Sequence, residues 1–235
     1  MSDGPSTRQI LASTALRMFA ERGIDAVSLR ELTAAAGQRN KTAAQYHFGT
    51  KEQLVREIFE QHTGQVNQRR WELLAELGHD SRRLGVPELA DALIRPLAEQ
   101  ATRPDAHYLR FLAQVSTPPW VYALTQADPA VTDSVRTVLA ALAERLTRIP
   151  GPVLRTRLSF SMMLAVRALA GLEHAAPAAD DPRTALFTTN IIDATVGMLT
   201  APVSGTAADL LTELPDNPSD PAWPWQILIG AASGD

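Results

Sequence analysis

Apolar residues recur every three to four positions from the start of the chain. Ile10, Leu11, Ala15, Met18 and Phe19 fall on one face of a helical repeat and predict an amphipathic helix. Ser6 and Gln9 have the spacing of a capping box that opens it, and Gly23 is placed to close it. Ser28-Leu29-Arg30-Glu31 has the same box form, and Leu29, Leu32 and Ala36 give a second, short helix one buried face before Gly37. Gln38-Arg39-Asn40 is polar turn material, with Asn40 as the expected cap of a third helix from Lys41 to Phe48. Gly49 then breaks the chain, and Thr50-Lys51-Glu52-Gln53 opens a long helix carrying Leu54, Val55, Ile58 and Phe59. The middle pair has the spacing of a helix-turn-helix.

Past residue 60 the pattern stays helical, with prolines as punctuation. Helices are expected near 51–78, 87–101, 104–117, 130–149, 152–176 and 182–200, separated at Pro118-Pro119, Asp128-Pro129, Pro150-Gly151-Pro152 and Asp181-Pro182. No stretch sustains a two-residue alternation, so the expected fold class is all-α, without a sheet. From Pro202 onward, prolines and acids predict an irregular tail in which Trp223, Trp225, Ile227 and Leu228 form an apolar cluster able to dock. The expected division is a helix-turn-helix unit over 1–50, a helical unit over 51–206, and an acidic, proline-rich tail over 207–235.

Composition narrows the function classes. The chain has 235 residues, 45% hydrophobic and 20% charged, which suits a soluble globular protein. It has no cysteine, so thiolate nucleophiles, disulfides and cysteine-held metals are out of reach. Arg17, Arg167 and Asp193 interrupt the best apolar runs before the ~18 residues of a membrane helix, and the N-terminus lacks the apolar centre of a signal peptide. A cytoplasmic location is the expectation. The net charge of −4 argues against a bulk attraction to nucleic acid. Its distribution changes that picture: residues 207–235 hold five acids and no base, leaving 22 bases against 21 acids in the rest. Any contact with DNA must therefore come from local placement of cations.

Residues 29–48 supply the parts of such a placement. A helix entering the major groove needs polar side chains outward and apolar ones inward to hold its angle. Leu32, Ala36, Ala43 or Ala44, and Phe48 form the inward set, while Arg39, Asn40, Lys41, Thr42, Gln45 and His47 offer donors and acceptors outward. Lys41 suits guanine and Gln45 suits adenine. Lys51, in the first turn of the fourth helix beside free backbone amides, makes a phosphate site.

Ile10-Leu11, Ala15-Leu16, Phe19, Gly23, Val27-Ser28, Leu32, Ala35-Ala36-Gly37, Tyr46-His47-Phe48 and Lys51-Glu52-Gln53-Leu54 together resemble the DNA-binding domain of the tetracycline-repressor (TetR) family. The resemblance spans Thr7 to Glu57, about a quarter of the chain. It implies that the third helix reads the major groove, that Tyr46 and His47 lie near phosphates and that Lys51 contacts the DNA backbone. Ser28, at the opening of the supporting helix, completes the expected DNA-contact set. The resemblance further implies an all-helical body that dimerises through its last two long helices and often encloses a small-molecule pocket. In this chain the dimer helices would carry Leu158, Met162, Ala165 and Leu169, then Phe187, Ile191, Ala194 and Met198.

Candidate pocket residues are Leu93, Leu97, Tyr108, Phe111, Val115, Trp120, Tyr122, Met162 and Met163, with His107 and Arg110 able to orient a polar group. An apolar or amphipathic effector fits such a lining. Enzyme chemistry has little to stand on. The five histidines are scattered, Glu76 to His79 is a lone Glu-x-x-His without a second copy, and no phosphate-cradling glycine loop occurs. No metal or cofactor is expected. The reading is a homodimeric, operator-binding transcriptional regulator, a repressor released by a small ligand. Its alternatives are a regulator of the same fold without a ligand, and an all-helical enzyme or carrier.

Overall fold

The computed structural model describes residues 6–78, 83–178 and 180–213, and every regular element in them is helical. Three of the first four helices begin at the capping boxes that the sequence predicts. In α1 (Thr7–Arg22) the Ser6 Oγ accepts from the Gln9 amide at 3.3 Å while Gln9 Oε1 accepts from the Ser6 amide at 2.8 Å. Ser28 and Glu31 close the same reciprocal pair at α2 (Leu29–Ala35), and Thr50 and Gln53 do so at α4 (Lys51–Glu76). Each box satisfies two backbone amides that a helix start otherwise leaves orphaned. Gly49, with φ +72°, turns the chain from α3 (Ala43–Phe48) into α4, and a Cβ there would run into the Gln53 amide that completes the box.

The third helix departs from expectation. It starts at Ala43, two residues later than the spacing predicts, because Asn40 does not cap it. Asn40 Oδ1 instead accepts from the Thr42 amide at 3.0 Å and the Thr42 hydroxyl at 2.8 Å, making a local turn ahead of the helix. The cap comes from the neighbouring helix. Thr33 of α2 is buried, donates its hydroxyl to Leu29 O at 2.7 Å, and accepts the Ala44 amide at 3.3 Å. That bond satisfies a first-turn amide of α3 and ties the two helices together. Leu32, Ala43, Ala44 and Phe48 are buried as expected, whereas Ala34 and Ala35 are exposed.

The body is built from α5 (Val86–Ala101), α6 (Tyr108–Val115), α7 (Trp120–Ala123), α8 (Asp133–Arg145), α9 (Gly151–Ala175) and α10 (Pro182–Thr200). Helix α4 packs on α5 and α8, α5 on α10, and α6 on α9. Helix α6 is shorter than the expected 104–117. Asp105 takes a left-handed φ of 53° in the preceding turn, and the helix begins only where Glu173 of α9 receives the Leu109 and Arg110 amides at 2.8 and 3.0 Å. Helix α8 is likewise trimmed from the expected 130–149, its front taken by a 3-10 turn at Pro129–Thr132. The short α7 follows a cis Pro118-Pro119 bond and has no counterpart in the sequence expectation.

Two further corrections concern the C-terminal third. Met162, Ala165, Leu169 and Ile191, expected on a dimer face, are buried within the chain itself. Of the expected set Phe187 and Ala194 do face outward, and Met163, Leu164 and Leu186 are exposed on the same helices. The expected irregular tail from Pro202 onward includes a helix, α11 (Gly205–Thr212), whose first turn Ser204 caps by accepting the Ala207 amide at 3.2 Å. Trp223, Trp225, Ile227 and Leu228 lie outside the described residues.

Inside the body a buried arginine answers a proline. Pro96, in the middle of α5, has no amide to give to Ala92 O one turn earlier. Arg70 of α4 is buried and fills that gap, donating Nε to Ala92 O at 3.0 Å, Nη2 to Leu93 O at 3.1 Å and Nη1 to Ser134 Oγ at 3.1 Å. Burial pushes its guanidinium down to about 10, so it remains a cation near neutral pH, held by carbonyl and hydroxyl oxygens.

Both polar devices are testable by denaturant unfolding. Arg70→Met orphans the Ala92 carbonyl and is expected to cost about 1–3 kcal/mol. In a Pro96→Ala background, where residue 96 regains its amide, the same change should cost about 1 kcal/mol less; additive losses would separate the arginine from the proline. Thr33→Val keeps the side-chain shape but leaves the Ala44 amide unpaired. We expect a loss of about 1–2 kcal/mol, with no loss if water takes over the amide.

Candidate nucleic-acid interface

Helix α3 turns one face inward and presents the other to solvent. Ala43, Ala44 and Phe48 are buried, while Gln45 is exposed and Tyr46 is 82% exposed, its ring meeting His47 edge-on at 5.2 Å. In the turn before it Arg39, Asn40, Lys41 and Thr42 are all exposed, and Arg39 and Lys41 make no ion pair with a described residue. The Asn40 carbonyl oxygen is occupied by Thr42, which leaves its amide nitrogen to donate outward. Two cations, an amide and a phenol thus crowd one exposed edge, the local placement that the net charge makes necessary.

A side chain that the sequence reading missed holds this edge in place. Arg8 of α1 pairs through two nitrogens with the Glu57 carboxylate of α4, donates Nη1 to His47 O at 2.8 Å, and lies over the Phe48 ring at 4.9 Å. One guanidinium therefore joins α1, α3 and α4. The matching signal is weak in sequence, because Arg8 and Glu57 stand 49 residues apart. Arg8, His47, Gly49, Gln53 and Arg56 line a groove of about 400 Å³ on this side of the molecule.

Two expected DNA-contact residues are otherwise engaged. The Ser28 hydroxyl belongs to the α2 cap, accepting the Glu31 amide and donating to Glu31 Oε2 at 2.8 Å. Those bonds, with the Ser28 amide first among them and Arg22 beside them, hold the Glu31 carboxyl down to about 2. The Lys51 ammonium turns inward, donating to Ile24 O at 2.6 Å and Asp25 O at 3.4 Å and lying 5.5 Å from the Trp120 ring centre. Its amino group fixes the turn between α1 and α2 against α7. Trp120 completes the contact by donating Nε1–H to Asp25 Oδ1 at 3.2 Å.

The candidate pocket residues scatter. Leu93, Leu97, Phe111, Val115 and Met162 are packed into the main core. Trp120 stands at the seam just described, Tyr122 is 58% exposed, and Met163 is on the surface of α9. The 3.6-residue rhythm marks which residues are apolar, and tertiary packing decides which enclose space. Tyr108 of the set lines a cavity of about 150 Å³, together with His107. Arg110 is tied up, with Nε on Glu173 at 3.2 Å and Nη2 on His107 Nδ1 at 2.6 Å. Among the described residues no three His, Asp or Glu side chains gather as a metal would require, and no helix is long and apolar enough to cross a membrane.

Comparison with known proteins adds the following. Residues 11–58 match the family model of bacterial regulatory proteins, tetR family. No curated protein matches the chain. Among solved structures, a transcriptional regulator from Rhodococcus sp. Rha1 is similar at 22% identity, covering 83% of this chain and 96% of its own, with a TM-score of 0.41. AibR, solved in complex with isovaleryl coenzyme A and operator DNA, is similar at 18% identity, covering 84% and 100%, with a TM-score of 0.42. The matched residues run from the first helix through the third and into α4, the elements that Arg8 and Thr33 lock together. This chain carries, over residues 11–58, the helix-turn-helix domain of the tetR family of bacterial regulatory proteins.

Proposed function

We propose that the chain is a homodimeric transcriptional repressor that reads a palindromic operator through α3 and is released by a small ligand, with no catalytic activity of its own. The observation that carries this reading is the exposed edge formed by Arg39 and Lys41 of the preceding turn with Gln45 and Tyr46 of a helix whose opposite face is buried. In it residues 1–50 contact DNA, residues 51–206 regulate and dimerise, and base edges meet Lys41 and Gln45 while Tyr46 and His47 approach phosphates. Lys51 acts by positioning, through the α1–α2 turn.

A single short helix spans only a few base pairs, so a two-fold pair is needed for a full site. Helices α9 and α10 pack together and expose Met163, Leu164, Leu186 and Phe187, with Ala194 small enough for close crossing. This is the surface on which a second copy would sit. Ligand release follows from α4, which runs unbroken from the DNA-binding unit through 26 residues, roughly 40 Å, so a tilt at its far end changes the spacing of two recognition helices.

Two experiments test the reading. A genome-wide footprint supplies the operator, and anisotropy titrations then compare variants. Gln45→Ala should cost about 1–3 kcal/mol and relax preference at one base position per half-site; unchanged specificity would remove α3 from base readout. Leu186→Glu, an exposed substitution that leaves the protomer folded, should turn a dimer into a monomer by light scattering and weaken operator binding. A Leu186→Glu protein that remains dimeric would move the interface elsewhere.

A further inference from the structure

The cavity at Tyr108 lies between the DNA-binding unit and the body. Leu16 of α1, His62 and Gln65 of α4, Gln100 of α5, the 103–107 turn and Tyr108 line its volume of about 150 Å³. Gln100 is only 7% exposed, yet its amide makes no hydrogen bond with any described residue. Because those amide atoms are not sealed in protein, they face the cavity with a donor and an acceptor to spare. His62 stacks on Tyr108 with ring centres 5.2 Å apart, and its Nδ1 is buried without a partner. Tyr108, by contrast, is satisfied through Thr63 at 2.6 Å. Folded proteins pair nearly all their buried polar groups, so the unpaired His62 Nδ1, beside the open Gln100 amide on one small cavity, marks the place of an occupant.

The surrounding charge says what kind. Burial, and then Arg103, push His62 down to about 4, and burial with Arg110 lowers His107. Both imidazoles are therefore neutral at neutral pH and can accept or donate without repelling an anion. The cation acting on the inner wall is Arg103, an exposed side chain that spends one nitrogen on Gln65 Oε1 at 3.1 Å and keeps further N–H groups available. Asp105, the acid in the lining, is exposed at the rim. The size is equally restrictive. At about 150 Å³ the cavity is far below the ~300 Å³ of drug-sized pockets and matches a cavity that holds one benzene ring.

We propose that this cavity binds a small monocarboxylate of about benzene size, its carboxylate on Arg103 and the Gln100 amide and its apolar part beside Leu16 and Tyr108. Leu16 belongs to α1, so the occupant touches both units at once. Any effect on operator binding rests on the repressor reading above, whereas the site itself does not.

Benzoate is the probe, with benzamide as its uncharged analogue, titrated calorimetrically into the full chain without DNA. Benzoate is expected to bind and to shift the His62 ring resonances, benzamide to bind at least tenfold more weakly, and Arg103→Gln to lose at least tenfold for benzoate while retaining the wild-type melting temperature. Gln100→Glu, which places a second carboxylate opposite the ligand, should abolish binding. Absence of benzoate binding at 10 mM on the order-of-magnitude scale of weak ligands (~mM), equal affinity for benzamide, or full affinity in Arg103→Gln each overturns the proposal. Repeating the titration with operator separates the two readings: benzoate that binds but leaves operator affinity unchanged upholds this site and removes its regulatory role.

Discussion

The carboxylate of Glu173 lies fully buried near the end of α9, where it receives the amides of Leu109 and Arg110 and the Arg110 guanidinium at 3.2 Å. Buried charge is tolerated only when its lone pairs are taken up, and the free amides at the start of α6 do this while gaining an anion at the positive end of the helix dipole. Glu173 thereby fixes where α6 begins. The far end of α6 is held by the DNA-binding unit: Gln114 donates Nε2 to Phe19 O at 2.8 Å and accepts the Ile24 amide at 2.9 Å, and Phe111 stacks on Phe19 with ring centres 6.4 Å apart. A two-turn helix is thus clamped at both ends, and the attitude of α1 toward the body is set through it.

A second seam runs parallel to the first. The Lys51 ammonium caps the carbonyls of the α1–α2 turn, Trp120 shields it and bonds Asp25, and Arg8 binds α4 to α3 on the opposite side. Much of this is half-exposed, so charge contributes little to stability there and the gain is mainly geometric, in the aim of α3. Two acids of the same unit, Glu31 and Glu57, are taken up by the α2 cap with Arg22 and by Arg8, while Arg39 and Lys41 are exposed and form no ion pair with a described residue.

Leu93, Leu97, Phe111 and Val115 are packed into the main core, Arg70 satisfies the carbonyl that Pro96 leaves open, and a cavity lies at the seam by Tyr108. An aromatic row, Phe19, Phe111, Tyr108 and His62, connects α1 to that space. Occupancy of the cavity would therefore bear on the same packing that orients the DNA-binding unit.

What the sequence by itself determined is what acts within a turn or two of chain. The boxes at Ser6, Ser28 and Thr50, the breaks at Gly23 and Gly49, and the helical rhythm of α4, α5, α9 and α10 are all readable because cap, glycine and periodicity are interactions between residues three or four apart. The buried residues of the helix-turn-helix and its exposed polar edge follow from the same rhythm. Tertiary structure decided the rest. Helix α3 starts where Thr33 reaches Ala44, 11 residues on, and α6 where Glu173 reaches back 64 residues to Leu109. Lys51 faces inward because Ile24 and Trp120 lie beside it, and Met162 and Met163 divide between core and surface by the placement of neighbouring helices. Periodicity measures how apolar a face is. It carries no information on which distant residue will meet that face, and that pairing sets helix starts, cavities and free cations alike.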